Sequence, residues 1–365
     1  MRRRGFQFLV LCLVGVGAWQ PSAVPLLETA PSHILTNDET CLAVAERARA
    51  IFDSRHNSAD RGATAENFRW EYWHADDGQY SSLRAPGAVI FDEESAPGVW
   101  EDITESILSF GQRQLGMNAI TPPWISCYLD GCEQRLHTDS PHGPWAFVMS
   151  LTPGAAFDSM EGGETIIMKP QILDYWRGFE TYGLEEGDIF SRVEPRFGRI
   201  TCFDPRLPHG VRQVRGPRSM DRGRLVIHGW FSEPEPFLTG GLAPGDDSSG
   251  SEANTEEAAA ALQETISEAI GALSGVGRVT GCLSTRLLVD GSTGLIKSVD
   301  ALADTLVPDP EDFQGIIGTT DEGESIYEDA RSDVLLTLHN TLSSAKFPAA
   351  PSGDDTEITV PFIFE

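Results

Sequence analysis

The chain has 365 residues, of which 40% are hydrophobic and 22% are charged, and its formal net charge is −28. At roughly 150 residues per domain this length predicts two domains, and the composition excludes wholesale disorder or a fibrous repeat. Because an acidic surface repels phosphate and anionic lipid, we expect neither nucleic acid nor, beyond the N-terminal segment, a membrane as a partner. The 36 Gly and 23 Pro residues favour a β-rich fold with many turns.

The N-terminal segment has the pattern of a secretory signal peptide. Arg2, Arg3 and Arg4 form a basic start, and the apolar run from Phe6 to Trp19 is short for a membrane span. We therefore predict a signal peptide over residues 1–23 and a location in the secretory pathway, either in the endoplasmic reticulum lumen or outside the cell. An uncleaved signal anchor and the start of an algal plastid-targeting sequence remain alternatives.

Two amphipathic helices are predicted before residue 120. The first opens at Thr36-Asn37-Asp38-Glu39, which are good N-capping residues, and continues to Phe52. Residues 68–74 form an aromatic cluster with the composition of a strand. The second helix runs from Gly98 to Leu115, because four apolar residues share one face at helical spacing. These residues are Trp100, Ile103, Ile107 and Phe110.

Short β-like runs broken by Gly and Pro occupy residues 124–231. Turn signals recur every 8 to 20 residues, which predicts an antiparallel sandwich or jelly roll, also called a double-stranded β-helix. The predicted fold class is therefore mainly β, with the helices as support, in a domain spanning residues 24–238. The predicted strands are Trp124–Leu129, Ala146–Leu151, Glu164–Met168, Arg199–Phe203 and Arg224–Phe231.

The C-terminal third is predicted to be a separate, small α+β module, residues 255–365. Residues 239–254 precede it and are acidic and rich in Gly and Ser, which is typical of a flexible tether. The predicted helices and strands of the module are Glu256–Leu273, Val279–Val289, Leu295–Val307, Glu324–Ser343 and Thr356–Phe362. The buried stripe of its first helix is predicted to be Leu262, Ile266, Ile270 and Leu273.

The cysteines indicate neither a disulfide scaffold nor a zinc site, because they are few and scattered. Those beyond the signal segment are Cys41, Cys127, Cys132, Cys202 and Cys282. Cys127 and Cys132 are close enough in sequence to form a disulfide, and free buried thiols are the alternative.

The main chemical signal is His137-Thr138-Asp139, with His209 far downstream. Residues i and i+2 of a strand point the same way, so His137 and Asp139 can face one metal ion, and His209 on an antiparallel strand can complete the set. Two His and one carboxylate leave the opposite face of an ion open, as in non-haem Fe(II) oxygenases. An H-x-D pair occurs by chance in many proteins, so its weight depends on the flanking sequence.

Four flanking segments occur in a recognisable order: CYLDGCEQRLHTD (127–139), EGGETII (161–167), VEPRFGRITCFDPRLPHGV (193–211) and GRLVIHGWF (223–231). Residues 124–231 thereby resemble the prolyl 4-hydroxylase-like 2-oxoglutarate/Fe(II) dioxygenases. The resemblance implies His137, Asp139 and His209 as Fe(II) ligands, with no catalytic side chain beyond them. It implies 2-oxoglutarate and O2 as cosubstrates and L-ascorbate as an auxiliary cofactor.

The same resemblance implies that Arg224 and Tyr128 bind 2-oxoglutarate, Arg224 through its far carboxylate, which a guanidinium can hold with two parallel hydrogen bonds. The family arginine usually follows the distal histidine by nine or ten residues, and the gap from His209 to Arg224 is fifteen. Arg218 has the expected gap but lies in a turn-like stretch, so both stay open and Arg224 is preferred. His228 shares a strand face with Arg224, where it either lines the pocket or fills the barrel.

The resemblance implies hydroxylation of an unactivated C–H bond with release of succinate and CO2. Peptidyl proline is the leading substrate; the same chemistry on a small molecule and a catalytically silent binding scaffold are the alternatives. A cupin-like isomerase is disfavoured because cupin sites typically gather three His.

The C-terminal module has a weaker resemblance to TonB/AgmX-type C-terminal domains, through GCLSTRLLVD (281–290), Phe347-Pro348 and VPFIFE (360–365). This second resemblance implies a module that binds a protein partner or presents substrate, rather than a second catalytic centre.

Overall fold

The computed structural model describes residues 32–57, 71–75, 80–94, 96–173, 185–232, 234–243, 252–308 and 326–365. The predicted signal peptide, residues 68–70 of the aromatic cluster and residues 244–251 of the predicted tether lie outside these ranges. In the described part of the chain, no helix combines the length and the apolar composition needed to cross a membrane.

The strands in the described ranges are β1 (Ile34–Asn37), β2 (Glu71–Ala75), β3 (Tyr80–Pro86), β4 (Trp124–Tyr128), β5 (Glu133–His137), β6 (Trp145–Ser150), β7 (Thr165–Met168), β8 (Phe190–Val193), β9 (Ile200–Phe203), β10 (His209–Val211), β11 (Arg224–Phe231), β12 (Phe237–Gly240), β13 (Val279–Val289), β14 (Ile296–Asp304), β15 (Val307–Pro308) and β16 (Thr356–Phe364). The long helices are α1 (Leu42–Asn57), α2 (Val99–Gln114), α3 (Glu252–Leu273) and α4 (Ile326–Ser344). Single helical turns cover Gly87–Ile90, Ser140–His142, Gly154–Phe157, Pro170–Leu173 and Glu186–Ile189.

Strands β4 to β11 form a jelly roll, which confirms the predicted fold class. One sheet has the order β9-β6-β11-β4, the facing sheet has the order β5-β10-β7-β8, and neighbouring strands are antiparallel. The five predicted strands of this region are present within one or two residues of their predicted bounds. Strands β5, β8 and β10 were not predicted, because β5 and β8 are only half-buried and β10 has three residues, so none shows a clear apolar alternation.

Helices α1 and α2 pack together and cover one side of the jelly roll. The four residues predicted for the apolar face of α2 are all partly or fully buried, and Ile107 and Phe110 share one buried cluster with Phe52 of α1 and Ile227 of β11. The start of α1 differs from the prediction. Residues 34–37 form β1, which pairs with β9, and Asn37 Oδ1 accepts hydrogen bonds from the backbone N–H groups of Glu39 and Thr40 in the turn before the helix.

The C-terminal module is a sheet of order β12-β16-β13-β14, with β15 beside β13 and with α3 and α4 packed together. The prediction of a flexible tether is wrong for residues 239 and 240, because Phe237–Gly240 form β12 and pair with Thr356–Thr359 of β16. The predicted stripe of α3 is also partly wrong. Leu262 is buried, whereas Ile270 is 60% exposed because it lies in an open cleft between α3 and β16.

The module docks directly on the jelly roll. Cys282 and Ala303 belong to the same buried cluster as Trp145 and Phe231 of the jelly roll. Arg206 spans the junction, donating hydrogen bonds to Thr280 Oγ1 at 3.0 Å and to the Thr305 carbonyl at 2.7 Å.

Gly116, which follows α2, has a φ of 68°. A Cβ on Gly116 would lie 2.8 Å from the Ser284 side chain of the module, so this glycine permits both the turn and the close approach.

The five described cysteines are free and buried, so the structure contains no Cys127–Cys132 disulfide. Cys127 lies in β4 with its side chain in the main core, whereas Cys132 belongs to a smaller cluster with Tyr128 and Val214. Burial raises the pKa of the Cys127 thiol to about 12, which keeps it protonated and unreactive.

Candidate metal centre

The register between β5 and β10 brings the two histidines of the predicted metal site together. His209, the first residue of β10, is the direct cross-strand partner of His137, the last residue of β5. The two imidazole centroids are 4.4 Å apart. Asp139 follows β5 by two residues, and its backbone N–H donates to the carbonyl of Pro205, which ties the loop after β5 to the loop before β10.

The three side chains converge on one point. Asp139 Oδ1 lies 3.7 Å from His137 Nε2, and Asp139 Oδ2 lies 3.4 Å from His209 Nε2. One ligand atom from each residue lies within 4.8 Å of the others. All three predicted ligands are therefore adjacent, although they come from two strands and a loop.

Both imidazoles are held with Nε2 toward the centre. His137 Nδ1 lies 2.8 Å from the Arg135 carbonyl and His209 Nδ1 lies 2.9 Å from the Leu207 carbonyl. A carbonyl oxygen can only accept, so Nδ1 carries a proton and Nε2 is the ring nitrogen that faces Asp139. This second hydrogen bond is typical of metal-binding histidines, because it fixes both the tautomer and the ring orientation.

Asp139 has the protonation state that a metal ligand needs. Burial alone raises its pKa, but hydrogen bonds and charge from His137 and His209 outweigh burial and hold the pKa well below the usual range. The carboxylate is therefore ionised at neutral pH. Two imidazole nitrogens and a carboxylate oxygen fit a divalent transition metal such as Fe(II), and a three-residue set leaves other coordination positions to small ligands.

A buried guanidinium lies in the same cavity. Strand β11 alternates, so the side chains of Arg224, Val226, His228 and Trp230 point into the jelly roll and line a cavity with Asp139 and His209. Arg224 is 1% exposed, its Nη2 donates to Thr165 Oγ1 at 2.9 Å, and its Nε has no partner among the described residues.

No described carboxylate lies within ion-pair distance of Arg224, which is unusual for a buried arginine. A carboxylate ligand would satisfy both its charge and its free Nε–H, so the cavity fits one end of 2-oxoglutarate. Arg218 does not reach this cavity: its side chain is 86% exposed and lies 3.6 Å from Asp130. The geometry therefore favours Arg224 over Arg218 as the cosubstrate anchor.

Tyr128 lies beside Arg224, as the antiparallel pairing of β4 and β11 requires. The Arg224 guanidinium carbon is 4.8 Å from the centre of the Tyr128 ring, and the Tyr128 hydroxyl donates to Gln134 Oε1 at 3.2 Å. Burial raises the pKa of Tyr128, so its hydroxyl remains a donor at neutral pH. The structure thus brings together the predicted metal ligands and both predicted cosubstrate residues.

Two further polar residues in the cavity were not predicted. Gln134 Nε2 lies 3.1 Å from His137 Nε2, and Thr165 accepts the Arg224 hydrogen bond. Gln134 is three residues before His137 on β5, and regular alternation places such residues on opposite faces of a strand. The pairing of β5 with β10 shifts register between these two positions, so the sequence carried no signal for Gln134. Thr165 gave no separate signal inside EGGETII, because its role depends on a contact across the barrel.

His228 lines the cavity rather than only filling the barrel. Its Nε2 lies 2.8 Å from Ser126 Oγ, and burial, followed by the charge of Arg224, lowers its pKa to about 4. His228 is therefore neutral at pH 7 and adds no positive charge beside Arg224.

Residues 123–232 match the family model described as the 2OG-Fe(II) oxygenase superfamily. This match covers the jelly roll and confirms the resemblance predicted for that segment. The jelly-roll domain is thus a domain of 2-oxoglutarate/Fe(II)-dependent dioxygenases, an enzyme class that uses Fe(II), 2-oxoglutarate and O2. The search of curated proteins returned no match.

Several solved structures are similar to part of the chain. A Pseudomonas putida prolyl-4-hydroxylase is 19% identical, with 55% of this chain and 93% of that chain covered and a TM-score of 0.35. A Trichoplax adhaerens prolyl hydroxylase, in complex with a hypoxia inducible factor oxygen degradation domain peptide fragment, is 15% identical, with 55% and 84% covered and a TM-score of 0.37. A Burkholderia pseudomallei oxidoreductase of the 2OG-Fe(II) oxygenase family is 18% identical, with 38% and 57% covered and a TM-score of 0.26.

Proposed function

We propose that this dioxygenase domain hydroxylates a C–H bond of a peptidyl proline, with His137, Asp139 and His209 holding Fe(II) and with Arg224 and Tyr128 binding 2-oxoglutarate. The observation that carries the proposal is a set of three converging metal-type ligands beside a cavity with a buried arginine, which has no described carboxylate within ion-pair distance. Fe(II) with 2-oxoglutarate and O2 supplies the oxidation of C–H to C–OH, coupled to conversion of 2-oxoglutarate and O2 to succinate and CO2.

The residues of the chain contribute binding and orientation. The Arg135 and Leu207 carbonyls hold the two imidazole rings in place, and Arg224 with Thr165 presents a cationic donor group to the far carboxylate of 2-oxoglutarate. The apolar lining of the cavity, which includes Phe147, Val148, Phe203 and Val226, limits water around the reacting atoms.

A peptidyl proline is proposed because the sequence segments that flank the ligands resemble prolyl 4-hydroxylases. L-Ascorbate as an auxiliary reductant and a secretory location belong to the same proposal. The location is supported by the sequence of residues 1–23 alone, which lie outside the described part of the chain.

Succinate release from 2-oxoglutarate tests the proposed enzymatic activity without knowledge of the true substrate. Such enzymes often convert 2-oxoglutarate to succinate even when no substrate is hydroxylated. The chain from residue 24 would be loaded anaerobically with Fe(II), aerated, and compared with His137→Ala and with Arg218→Met, which changes an exposed arginine outside the cavity. We expect wild type and Arg218→Met to release succinate and His137→Ala to release none. Bound metal without any succinate release by the wild type would contradict the proposal and favour a binding scaffold.

Proline-containing peptides then test the substrate. An increase in succinate release with formation of hydroxyproline in the peptide supports the peptidyl-proline assignment. Succinate release that is stimulated by none of the peptides, but by a small molecule, would overturn the substrate assignment and leave the reaction class intact.

A further inference from the structure

A cleft of about 670 Å³ lies between the jelly roll and the C-terminal module, beside the metal site. Its jelly-roll wall is built from residues of the Ser140–Pro144 loop, which starts one residue after Asp139. Its other wall is Thr280–Cys282 of β13 and Ile363–Glu365 at the end of β16. Within that loop, His142 stacks on Trp230, a residue of the metal-site cavity, with ring centroids 4.4 Å apart. The Ser140–Pro144 loop therefore connects the wall of the cleft with the wall of the metal-site cavity.

The cleft has a mainly apolar lining with one available charge. Pro141, Pro144, Pro234, Ile363 and Phe364 supply the apolar lining, and Ile363 is 45% exposed. The guanidinium of Arg206 also reaches this cleft, but its charge is already paired with Asp204 at 2.7 Å.

Glu365 is exposed, and no described cation lies within ion-pair distance of it. Since the whole chain carries a net charge of −28, the cleft favours an occupant that is apolar but carries basic residues.

The cleft continues beyond Phe364 along the module. A second cleft of about 670 Å³ shares Ile363 and Phe364 and extends to Ile270 of α3. Strand β12 stops where Phe237 pairs with Thr359, so the end of β16 has β13 on one side and no described strand on the other. The two clefts together form an elongated apolar track, which suits an extended chain better than a compact molecule.

We propose that this track binds the part of a polypeptide substrate that flanks the hydroxylated residue: an extended, apolar, proline-containing segment with Lys or Arg facing Glu365. The inference rests on the proposed function and specifies its substrate class. It also assigns a role to the C-terminal module, which then acts as a fixed wall of the substrate site. Because an extended chain advances roughly 3.3 Å per residue, a peptide must be several residues long to reach both the metal site and the track.

Peptide length and charge make the proposal testable. Three labelled peptides would be measured by fluorescence anisotropy with the Fe(II)- and 2-oxoglutarate-loaded chain under anaerobic conditions. One has about 20 residues of Pro, Ala, Leu and Lys, one has about five residues of the same composition, and one has about 20 residues with Glu in place of Lys. We expect the long Lys peptide to bind about tenfold more tightly than either of the others.

Two variants locate the binding surface. Ile363→Glu places a charge in the track, and Leu336→Glu is its matched control because Leu336 is 48% exposed on α4 and lines neither cleft. We expect Ile363→Glu to weaken binding of the long Lys peptide about tenfold and Leu336→Glu to leave it unchanged. Glu365→Lys should weaken the Lys peptide and strengthen the Glu peptide. Thermal melts confirm that each variant is folded.

Equal binding of long and short peptides, or equal effects of Ile363→Glu and Leu336→Glu, would overturn the inference. A concentration-dependent dimer that Ile363→Glu dissociates would also overturn it, because a second copy of the chain would then occupy the track. Succinate release without peptide is measured on the wild type and on Leu336→Glu, in which it is expected to be unchanged. If the wild type releases succinate but the three peptides bind equally well, only the assignment of the track fails. If the wild type releases no succinate, the proposed function fails.

Discussion

Replacing Arg224 by Met should separate cosubstrate binding from folding. If the guanidinium holds the far carboxylate of 2-oxoglutarate with two charge-assisted hydrogen bonds, each contributing about 1.5–3 kcal/mol, their loss costs roughly 3–6 kcal/mol of binding free energy. That range corresponds to a rise in the KM for 2-oxoglutarate of about a hundredfold or more. Arg224→Lys keeps the charge but not the paired geometry, so it should recover part of the loss.

The folded state should tolerate the same change. Arg224 is buried with no described carboxylate within ion-pair distance, and burial outweighs nearby charges such as that of Glu164 and lowers its pKa. In the absence of 2-oxoglutarate, the charge is therefore a cost to the folded state. We therefore expect the melting temperature of Arg224→Met without ligand to equal or exceed that of the wild type. The increase in melting temperature that 2-oxoglutarate causes in the wild type should be absent.

Arg218→Met is the control for both measurements, since Arg218 is exposed and lies outside the cavity. The assays are succinate release against 2-oxoglutarate concentration and thermal unfolding with and without 2-oxoglutarate. An unchanged KM in Arg224→Met together with a raised KM in Arg218→Met would refute the reasoning and assign the anchor to the turn before β11.

Three further changes probe the metal site, the buried histidine and the domain junction. Asp139→Ala removes the ionised ligand between the two imidazoles, so the amount of Fe(II) retained after gel filtration should fall to background. The control Asp130→Ala, outside the cavity, should retain Fe(II). Retention of Fe(II) by Asp139→Ala would exclude these three residues as the iron site. The pKa of His228 is about 4 in the folded chain, below the ordinary value near 6.5. As pH falls, the unfolded state therefore binds the proton first, and the free energy of unfolding decreases between about pH 6.5 and pH 4. The free energy of unfolding is measured with urea at pH 7 and pH 5. We expect its decrease between the two pH values to be about 2 kcal/mol smaller in His228→Gln than in the wild type. An equal decrease in both proteins would contradict the argument from burial. Arg206→Ala removes the ion pair with buried Asp204 and the hydrogen bonds to the module, so it should lower the free energy of unfolding in urea by about 2–4 kcal/mol. The control Arg196→Ala, at an exposed ion pair, should lower it by less than about 1 kcal/mol. Equal decreases would mean that the junction does not depend on Arg206.

The chain's local patterns were sufficient to predict most of the elements near the site. The spacing of Ile103, Ile107 and Phe110 predicts α2, and the alternation from Arg224 to Trp230 predicts β11 with its polar side chains on one face. Periodicity is encoded in neighbouring residues, so it can be read without knowledge of the rest of the fold. The grouping of His137, Asp139 and His209 as a candidate metal set was likewise predicted from the sequence, by residue type and spacing together with the resemblance of the flanking segments.

Local patterns fail where an element depends on distant partners. Thr36 and Asn37 have N-capping chemistry, yet they belong to strand β1 because β9 offers an open edge beside them. Ile270 fits a helical apolar stripe, yet it is exposed because it lines an open cleft between α3 and β16. Cys127 and Cys132 are near in sequence, but their side chains point into different clusters.

The sequence by itself predicted the jelly-roll class, the three residues of the candidate metal site and a preference for Arg224 over Arg218 because of its strand. Only the tertiary structure decided that His209 stands directly opposite His137, that Thr165 and Gln134 complete the cavity, and that the C-terminal module is docked rather than tethered. The physical reason is the separation along the chain of the residues that interact. Residue type and periodicity are properties of a few adjacent residues, whereas strand register and domain docking follow from contacts such as that of Arg206 with Thr280, which join residues far apart in the chain.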